Sequence, residues 1–202
     1  MIREVRGNKQ LEVIAGCMFS GKTEELIIRL ERAKIAGLDC LVFKPTTDTR
    51  RKPGTINTCN GREFSAHDLE PGAETAETIS SIVGRTAFRE ADVIAFDEGQ
   101  FFSEKLIALC EELVTMGKRV IVAGLNQTFA GEPFGPMPYL MALADEVVTL
   151  SAVCMKCKRI GAATRTQRLI DNKPAPVNSP TIQVGGLESY EARCRDCWEK
   201  GT

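Results

Sequence analysis

Short apolar blocks alternate with stretches of helical period over the first three-quarters of this chain. Residues 11–15 have the length and content of a buried strand and run into a glycine-containing turn. Residues 22–36 follow with Leu26, Leu30 and Ala33 on one helical face, and Gly37 is placed to stop them. Residues 40–43 predict a second strand, and residues 93–96 a third that ends in Asp97-Glu98. Ser103 is placed to cap the next helix, whose apolar positions Leu106, Leu109 or Cys110, and Leu113 recur at helical spacing until Gly117. Residues 120–123 read as a fourth strand, 137–144 as a short helix and 147–150 as a fifth strand. Strands separated by helices predict an α/β fold, a mostly parallel sheet covered on both faces.

The texture changes near Cys154. Residues 172–186 hold three prolines, two glycines and no helical period, so they predict a long loop, and a loop of that length inside a compact protein usually serves function. The division expected is a nucleotide-binding α/β domain over 1–150 and a small appendage over 151–202.

Composition narrows the partners. Lys+Arg 26 against Asp+Glu 27 gives a formal charge of -1, which offers no electrostatic footprint for a nucleic-acid polymer. The first ten residues carry Arg3, Glu4, Arg6 and Lys9 and do not read as a signal peptide, and no apolar run is long enough to cross a bilayer. A cytoplasmic protein without a membrane partner is therefore expected. A reducing compartment also argues against a disulfide framework for the eight cysteines.

Gly16-Cys17-Met18-Phe19-Ser20-Gly21-Lys22-Thr23 fits G-x-x-x-x-G-K-[ST] between a predicted strand and a predicted helix, the context the phosphate loop requires. The glycines let the backbone curl so that N–H groups point at phosphate oxygens, and the helix start adds its positive end. Lys22 is expected to reach the β- and γ-phosphates of ATP, and Thr23 to ligate Mg²⁺. Asp97, at the end of an apolar strand, is the expected second Mg²⁺ partner. Glu98 follows it, and in an extended strand its side chain would point the other way, toward an acceptor. There it would orient a hydroxyl and take its proton as the P–O bond forms. Competing readings are a glutamate that aligns water in an ATPase, or a plain surface acid.

Four cysteines lie apart at Cys17, Cys40, Cys59 and Cys110; the others form Cys154-x-x-Cys157 and Cys194-x-x-Cys197 with 36 residues between the pairs. Two such pairs supply the four thiolates of a closed, structural Zn²⁺ site, against the alternatives of a redox pair or buried thiols. The interval exceeds that of a zinc ribbon, so the metal would clasp the long loop. His67, the lone histidine, is expected on a surface or in a loop rather than on metal. Trp198 is expected to pack over the cysteine knuckle, and Tyr190 can hydrogen-bond a ligand. Phe101, Phe102, Phe129 and Phe134 follow strand ends, where α/β sheets build pockets, and either a core or a pocket role is open to them.

Taken in order, the phosphate loop, Asp48-Thr49-Arg50, Asp97-Glu98-Gly99-Gln100-Phe101-Phe102, Thr128-Phe129, Pro133-Phe134-Gly135, Ala152-Val153-Cys154, Val184-Gly185-Gly186, Tyr190 and the last cysteine pair resemble the thymidine kinases of the cellular, zinc-containing type. The resemblance spans about residues 11–197. It implies Glu98 as catalytic base, and the phosphate loop, Asp48, Thr49, Arg50, Asp97, Glu98, Gly99 and Gln100 as ATP segments. It implies Phe129, Thr181, Ile182, Gln183, Val184, Gly185 and Tyr190 as thymidine contacts, completed by Phe101, Leu125 and Phe134, with the loop acting as a lasso through main-chain groups. Members of that family are usually homotetramers inhibited by dTTP. One departure is Thr58-Cys59-Asn60-Gly61, where many relatives have a Ser-His-Asn-Gly-like string. An ATPase with a zinc module acting on nucleic acid is the alternative, but it does not suit the near-neutral charge. A non-catalytic nucleotide sensor would need no glutamate beside Asp97.

Overall fold

The computed structural model describes residues 9–48, 54–58, 61–181 and 189–201. Thr49, Arg50, Cys59, Asn60, Ile182, Gln183, Val184, Gly185 and Gly186 lie outside the described residues. The elements run β1 (Gln10–Gly16), α1 (Lys22–Ile35), β2 (Cys40–Pro45), β3 (Thr55–Asn57), β4 (Glu63–Ser65), β5 (His67–Leu69), α2 (Ala76–Val83), α3 (Arg85–Glu90), β6 (Val93–Phe96), α4 (Lys105–Thr115), β7 (Arg119–Gly124), α5 (Met137–Leu143), β8 (Glu146–Leu150), β9 (Arg165–Ile170), β10 (Lys173–Pro174) and β11 (Tyr190–Arg193). A 3-10 turn, Gly99–Phe101, follows β6.

Six strands form one sheet in the order β5-β2-β6-β7-β1-β8, and every pairing in it is parallel. Strand alternation sorts the core onto its two faces. Leu11, Val13, Ile94, Phe96, Val120 and Val122 turn to the face covered by Ile79 of α2, Leu106, Leu109 and Leu113 of α4, and Met137 and Leu140 of α5. Ile14, Val93, Ala95, Ile121 and Ala123 turn to the other, covered by Leu26, Ile27, Leu30 and Ala33 of α1 and by Ile56 and Phe64 of the β3–β4 hairpin. Truncating a fully buried leucine such as Leu106 would cost about 2–5 kcal/mol.

The predicted helix stops are met in detail. After α1, Leu38 N–H donates to the Ala33 carbonyl and Gly37 N–H to that of Lys34, and after α4 the same pair of bonds joins Lys118 to Leu113 and Gly117 to Val114. Both glycines have positive φ, 77° and 86°, which this closure needs. Ser103 accepts from Lys105 N–H at 3.3 Å, but its hydroxyl also donates to Glu74, so the residue is shared between a cap and a clamp. Lys118 is buried with its ammonium on the carbonyls of Phe88, Arg89 and Ala91, capping the negative end of α3.

Several elements differ from expectation. The hairpin, β5, α2 and α3 between residues 55 and 90 had no clear apolar period, because each is short and half-exposed. His67 sits in edge strand β5 with its ring 5.7 Å from that of Phe43, not in a loop. Beyond Cys154, β9 is flanked by β10 and β11 in a small antiparallel sheet, and β10 lies inside the stretch expected to be irregular.

Candidate functional site

Because the large sheet is parallel, the loops after β1, β2, β6 and β7 all leave from one edge, and the expected site residues lie on them. The loop after β1 curls through Phe19 at φ 64° and Gly21 at φ 85° before α1 begins. Gly16 has to be glycine, since a Cβ there would stand 2.5 Å from the Leu150 carbonyl oxygen. Gly21 ends the loop as the helix N-cap without a side-chain cap, so the first-turn amides of α1 have no carbonyl one turn earlier to bond. That is the arrangement of a phosphate cradle. Lys22 Nζ is drawn across the loop to the Cys17 carbonyl at 2.8 Å, and Ser20 Oγ donates to the same oxygen.

The Thr23 hydroxyl lies 3.3 and 3.2 Å from the two carboxylate oxygens of Asp97. One bond thus joins the start of α1 to the end of β6. Asp97 is buried, and its N–H donates to the Phe43 carbonyl of β2. A hydroxyl beside a buried carboxylate is a donor set that suits a hard divalent cation. Asp48, also buried, closes the end of β2 nearby in sequence.

Glu98 corrects the simple strand picture. It is not extended; its backbone is left-handed at φ 53° and ψ 42°, and it caps the 3-10 turn. A non-glycine residue there costs of order 1–3 kcal/mol, a cost that tends to be kept where function fixes the backbone. Its carboxylate accepts from Gln100 Nε2 at 2.5 Å, and Gln100, 2% exposed, accepts from Leu125 N–H at 2.8 Å. Gln100 therefore faces the glutamate and the end of β7. Glu74, invisible in the sequence pattern, holds the far end of this segment through Ser103 N–H at 2.8 Å and the Ser103 hydroxyl at 2.7 Å. Burial raises the Glu74 pKa, but the bonds from Ser103 and Gly72 outweigh that and bring it below its ordinary value.

The aromatic residues divide. Phe102 is core, edge-on to Phe96. Phe101 and Phe134 are half-buried and meet edge to face at 5.8 Å beside the 3-10 turn. Leu125 and Phe129 are buried on the β7–α5 loop, with the Arg168 guanidinium 5.2 Å over the Phe129 ring. Tyr190 is buried opposite Arg168 in the β9–β11 pairing, and Thr181 is exposed and is the last described residue before 189. Arg168 donates to the Pro180 carbonyl at 2.7 Å, and its Nε is, among the described residues, the buried side-chain nitrogen without a partner. Trp198 sits in the turn of the second cysteine pair, its N–H donating to the Cys194 carbonyl, and its indole N–H reaches the Phe129 carbonyl at 3.3 Å, bracing the β7–α5 loop, with Arg165 Nη1 on Gln127 beside it.

The four cysteines come together. The Sγ atoms of Cys154, Cys157, Cys194 and Cys197 all lie within 4.8 Å of one another. A tetrahedron with metal–sulfur bonds of about 2.3 Å spaces its sulfurs by about 3.8 Å. Cys157 and Cys194 stand at 3.8 Å, so the set fits a four-sulfur metal site. Burial would raise the Cys154 thiol, but N–H groups from Cys157 and Cys194 overcome it and bring it down to about 6. Arg159 lowers Cys157 by direct contact, and it also touches the Cys194 sulfur and Asp196.

This cysteine module does more than flank the long loop. The Met18 N–H of the phosphate loop donates to Thr166 Oγ1 at 3.0 Å, and Cys17 Sγ lies 3.3 Å from the Ala163 carbonyl. Cys17 packs with Ala152, Cys154, Ala163, Ala192 and Cys194 in one cluster. Burial pushes its thiol up, which makes it a packing group rather than a nucleophile. Nothing in the residue pattern pointed to Thr166 or Ala163, because the contact joins segments about 150 residues apart.

Comparison with known proteins agrees with the geometry. Residues 9–198 match the family described as "Thymidine kinase". A protein of that name from Halobacterium salinarum (strain ATCC 29341 / DSM 671 / R1) is 48% identical over 93% of this chain and 92% of its own. Another, from Coprothermobacter proteolyticus, is 50% identical over 91% of this chain and 87% of its own. A third, from Haloquadratum walsbyi, is 40% identical over 97% of each.

Proposed function

The chain belongs to the thymidine kinase family, and on that footing we infer that it transfers the γ-phosphoryl group of ATP to the 5′-hydroxyl of thymidine. The observation that carries this reading in the structure is the Thr23–Asp97 bond, with Glu98 next along the chain. It joins a phosphate loop, a cation-suited pair and a carboxylate at one edge of the sheet.

In the reaction we propose, the loop amides and Lys22 hold the phosphates, while Thr23 and Asp97 hold Mg²⁺. When bound, the ion would supply charge neutralisation to the transferring phosphates. The thymidine 5′-oxygen attacks the γ-phosphorus, the bond to the β-phosphate oxygen breaks, and ADP leaves. Glu98 orients the hydroxyl and accepts its proton. Phe101, Leu125, Phe129, Phe134 and Tyr190 line the acceptor side, and Thr181, Ile182, Gln183, Val184 and Gly185 close on the base. Asp48, Thr49 and Arg50 complete the ATP side. Cys154, Cys157, Cys194 and Cys197 hold one Zn²⁺, a closed site that leaves no position for substrate. Residues 151–202 act as a zinc-and-lasso unit upon the 1–150 nucleotide domain. Assembly as a homotetramer, inhibition by dTTP and a cytoplasmic location complete the proposal. No described helix is long and apolar enough to cross a membrane.

The test is ADP release with thymidine, deoxyuridine, deoxycytidine or no nucleoside. A pocket matched to the O4, N3–H and O2 edge of thymine keeps deoxyuridine, which lacks only a methyl group, within about 10–200-fold. It rejects deoxycytidine by roughly 10⁴-fold, because buried partners are left unpaired. ADP release that ignores the nucleoside would restore the ATPase reading.

A further inference from the structure

Gln100 was grouped by resemblance with the ATP segments, yet its side chain is committed elsewhere. Its Oε1 accepts from Leu125 N–H at 2.8 Å, and its Nε2 donates to Glu98 Oε2 at 2.5 Å. The orientation of the amide is dictated, because a backbone N–H can only donate and so must face the oxygen. The nitrogen is then left to face the carboxylate, where it can only donate. Gln100 thus offers Glu98 a hydrogen bond that a proton acceptor can use throughout.

The slot around Gln100 is built from three glycines. A Cβ on Gly124 would stand 2.8 Å from Gln100 Oε1, one on Gly135 2.5 Å from the Gln100 carbonyl oxygen, and one on Gly99 2.7 Å from Val122 Cγ1. Gly135 has φ 50° besides. With the residue 2% exposed, side chain and backbone are fixed together. Glu98, by contrast, sits on a left-handed backbone and is only half-buried. Hydrogen bonds from fixed neighbouring side chains hold such a group to one rotamer.

We propose that Gln100 is the positioning residue for Glu98, tying its carboxylate to the end of β7 so that it meets the acceptor hydroxyl; this rests on Glu98 being the base. Gln100→Met is the informative variant, since it keeps the length of the side chain, adds no charge beside Glu98 and removes the donor toward it. Its kcat is expected to fall about ten- to hundredfold, the range for a lost charge-assisted hydrogen bond, with KM for ATP and thymidine within about twofold. Combined with Glu98→Gln, it should add less than about a threefold further loss, because it acts through Glu98 alone. Retention of more than a third of kcat, or multiplying losses in the double variant, overturns the proposal. If Glu98→Gln itself is active, the reading of Glu98 as base fails instead. Should Gln100→Met not fold by circular dichroism, Gln100→Asn decides, since it keeps the amide but is one methylene too short to reach both Leu125 N–H and Glu98: the same kcat-only loss supports the proposal and full activity overturns it.

Discussion

Thr166→Val removes one hydroxyl and keeps the β-branched shape that suits β9. The loss falls on Met18 N–H, which donates to Thr166 Oγ1 at 3.0 Å. A buried donor left unpaired costs about 1–3 kcal/mol. Met18 is half-buried, so water can recover part of this and the lower end, about 1 kcal/mol, applies. If the bond shapes the phosphate loop for its ligand, that cost appears in binding, as about a fivefold weaker nucleotide complex. Titration calorimetry with Mg·ADP and no nucleoside reads it directly and leaves the acceptor side out. The alternative is that Thr166 merely stabilises the fold. Then Tm drops by about 2–4 °C per kcal/mol for a chain of this size, while the ADP dissociation constant stays within twofold. That second pattern would refute a role for the cysteine module in shaping the phosphate loop.

Three further outcomes are expected. Glu98→Gln should lower kcat by about 10²–10⁴-fold in the ADP-release assay with little change in ADP binding; more than a third of wild-type kcat would sink the assignment. Elemental analysis should find one zinc per chain, and Cys194→Ser should lose it and raise KM for thymidine, and also for ATP because Cys17 packs on the same cluster; metal-free protein with normal constants contradicts this. Glu74 has a folded pKa below its ordinary 4.5, so its contribution is full above that pH and fades as pH falls through the folded value. Glu74→Gln should therefore lower Tm at pH 7, with the gap from wild type narrowing below about pH 4.5; a gap constant down to pH 3 would show that the clamp is not ionic.

Sequence alone carried β1, β2, β6, β7 and β8 of the large sheet because each holds an apolar run, the mark of parallel strands, whereas the short edge strand β5 was missed. The phosphate loop and the cysteine pairs were legible for a related reason: each function is packed into one short string with fixed spacing. What escaped was long-range or locally ambiguous. Glu98 stands directly after an apolar run, so extended geometry was the natural expectation, and only the following Gly99 hinted at the left-handed turn. Glu74 and Ser103 are ordinary polar residues until folding brings them together from 29 positions apart. Lys118 carries no mark in the sequence, and its burial follows from the end of α3 lying beside it. Trp198 carried no sign of the carbonyl it would reach.

The least legible feature is also the one that unifies the site. In a strand, residues two apart point to the same face, so Thr166 and Arg168 of β9 project together. Thr166 holds the phosphate loop through Met18 N–H, and Arg168 holds the Pro180 carbonyl, one residue before Thr181. The same Arg168 faces Tyr190 across the β9–β11 pairing. Phosphoryl transfer demands that the γ-phosphate and the acceptor oxygen be held within about 3–3.5 Å and in line, and small errors of placement are costly. The large sheet leads into the phosphate loop, and β9 of the small sheet reaches both that loop and Pro180. In the proposed reaction this gives donor and acceptor one shared support. The cysteine cluster stands at the other end of β11, where Arg193 pairs with Arg165 and Cys194 follows directly. A closed metal site there would lock the β9–β11 register. On this view its position against Cys17, rather than at the tip of the long loop, is what the geometry of transfer requires.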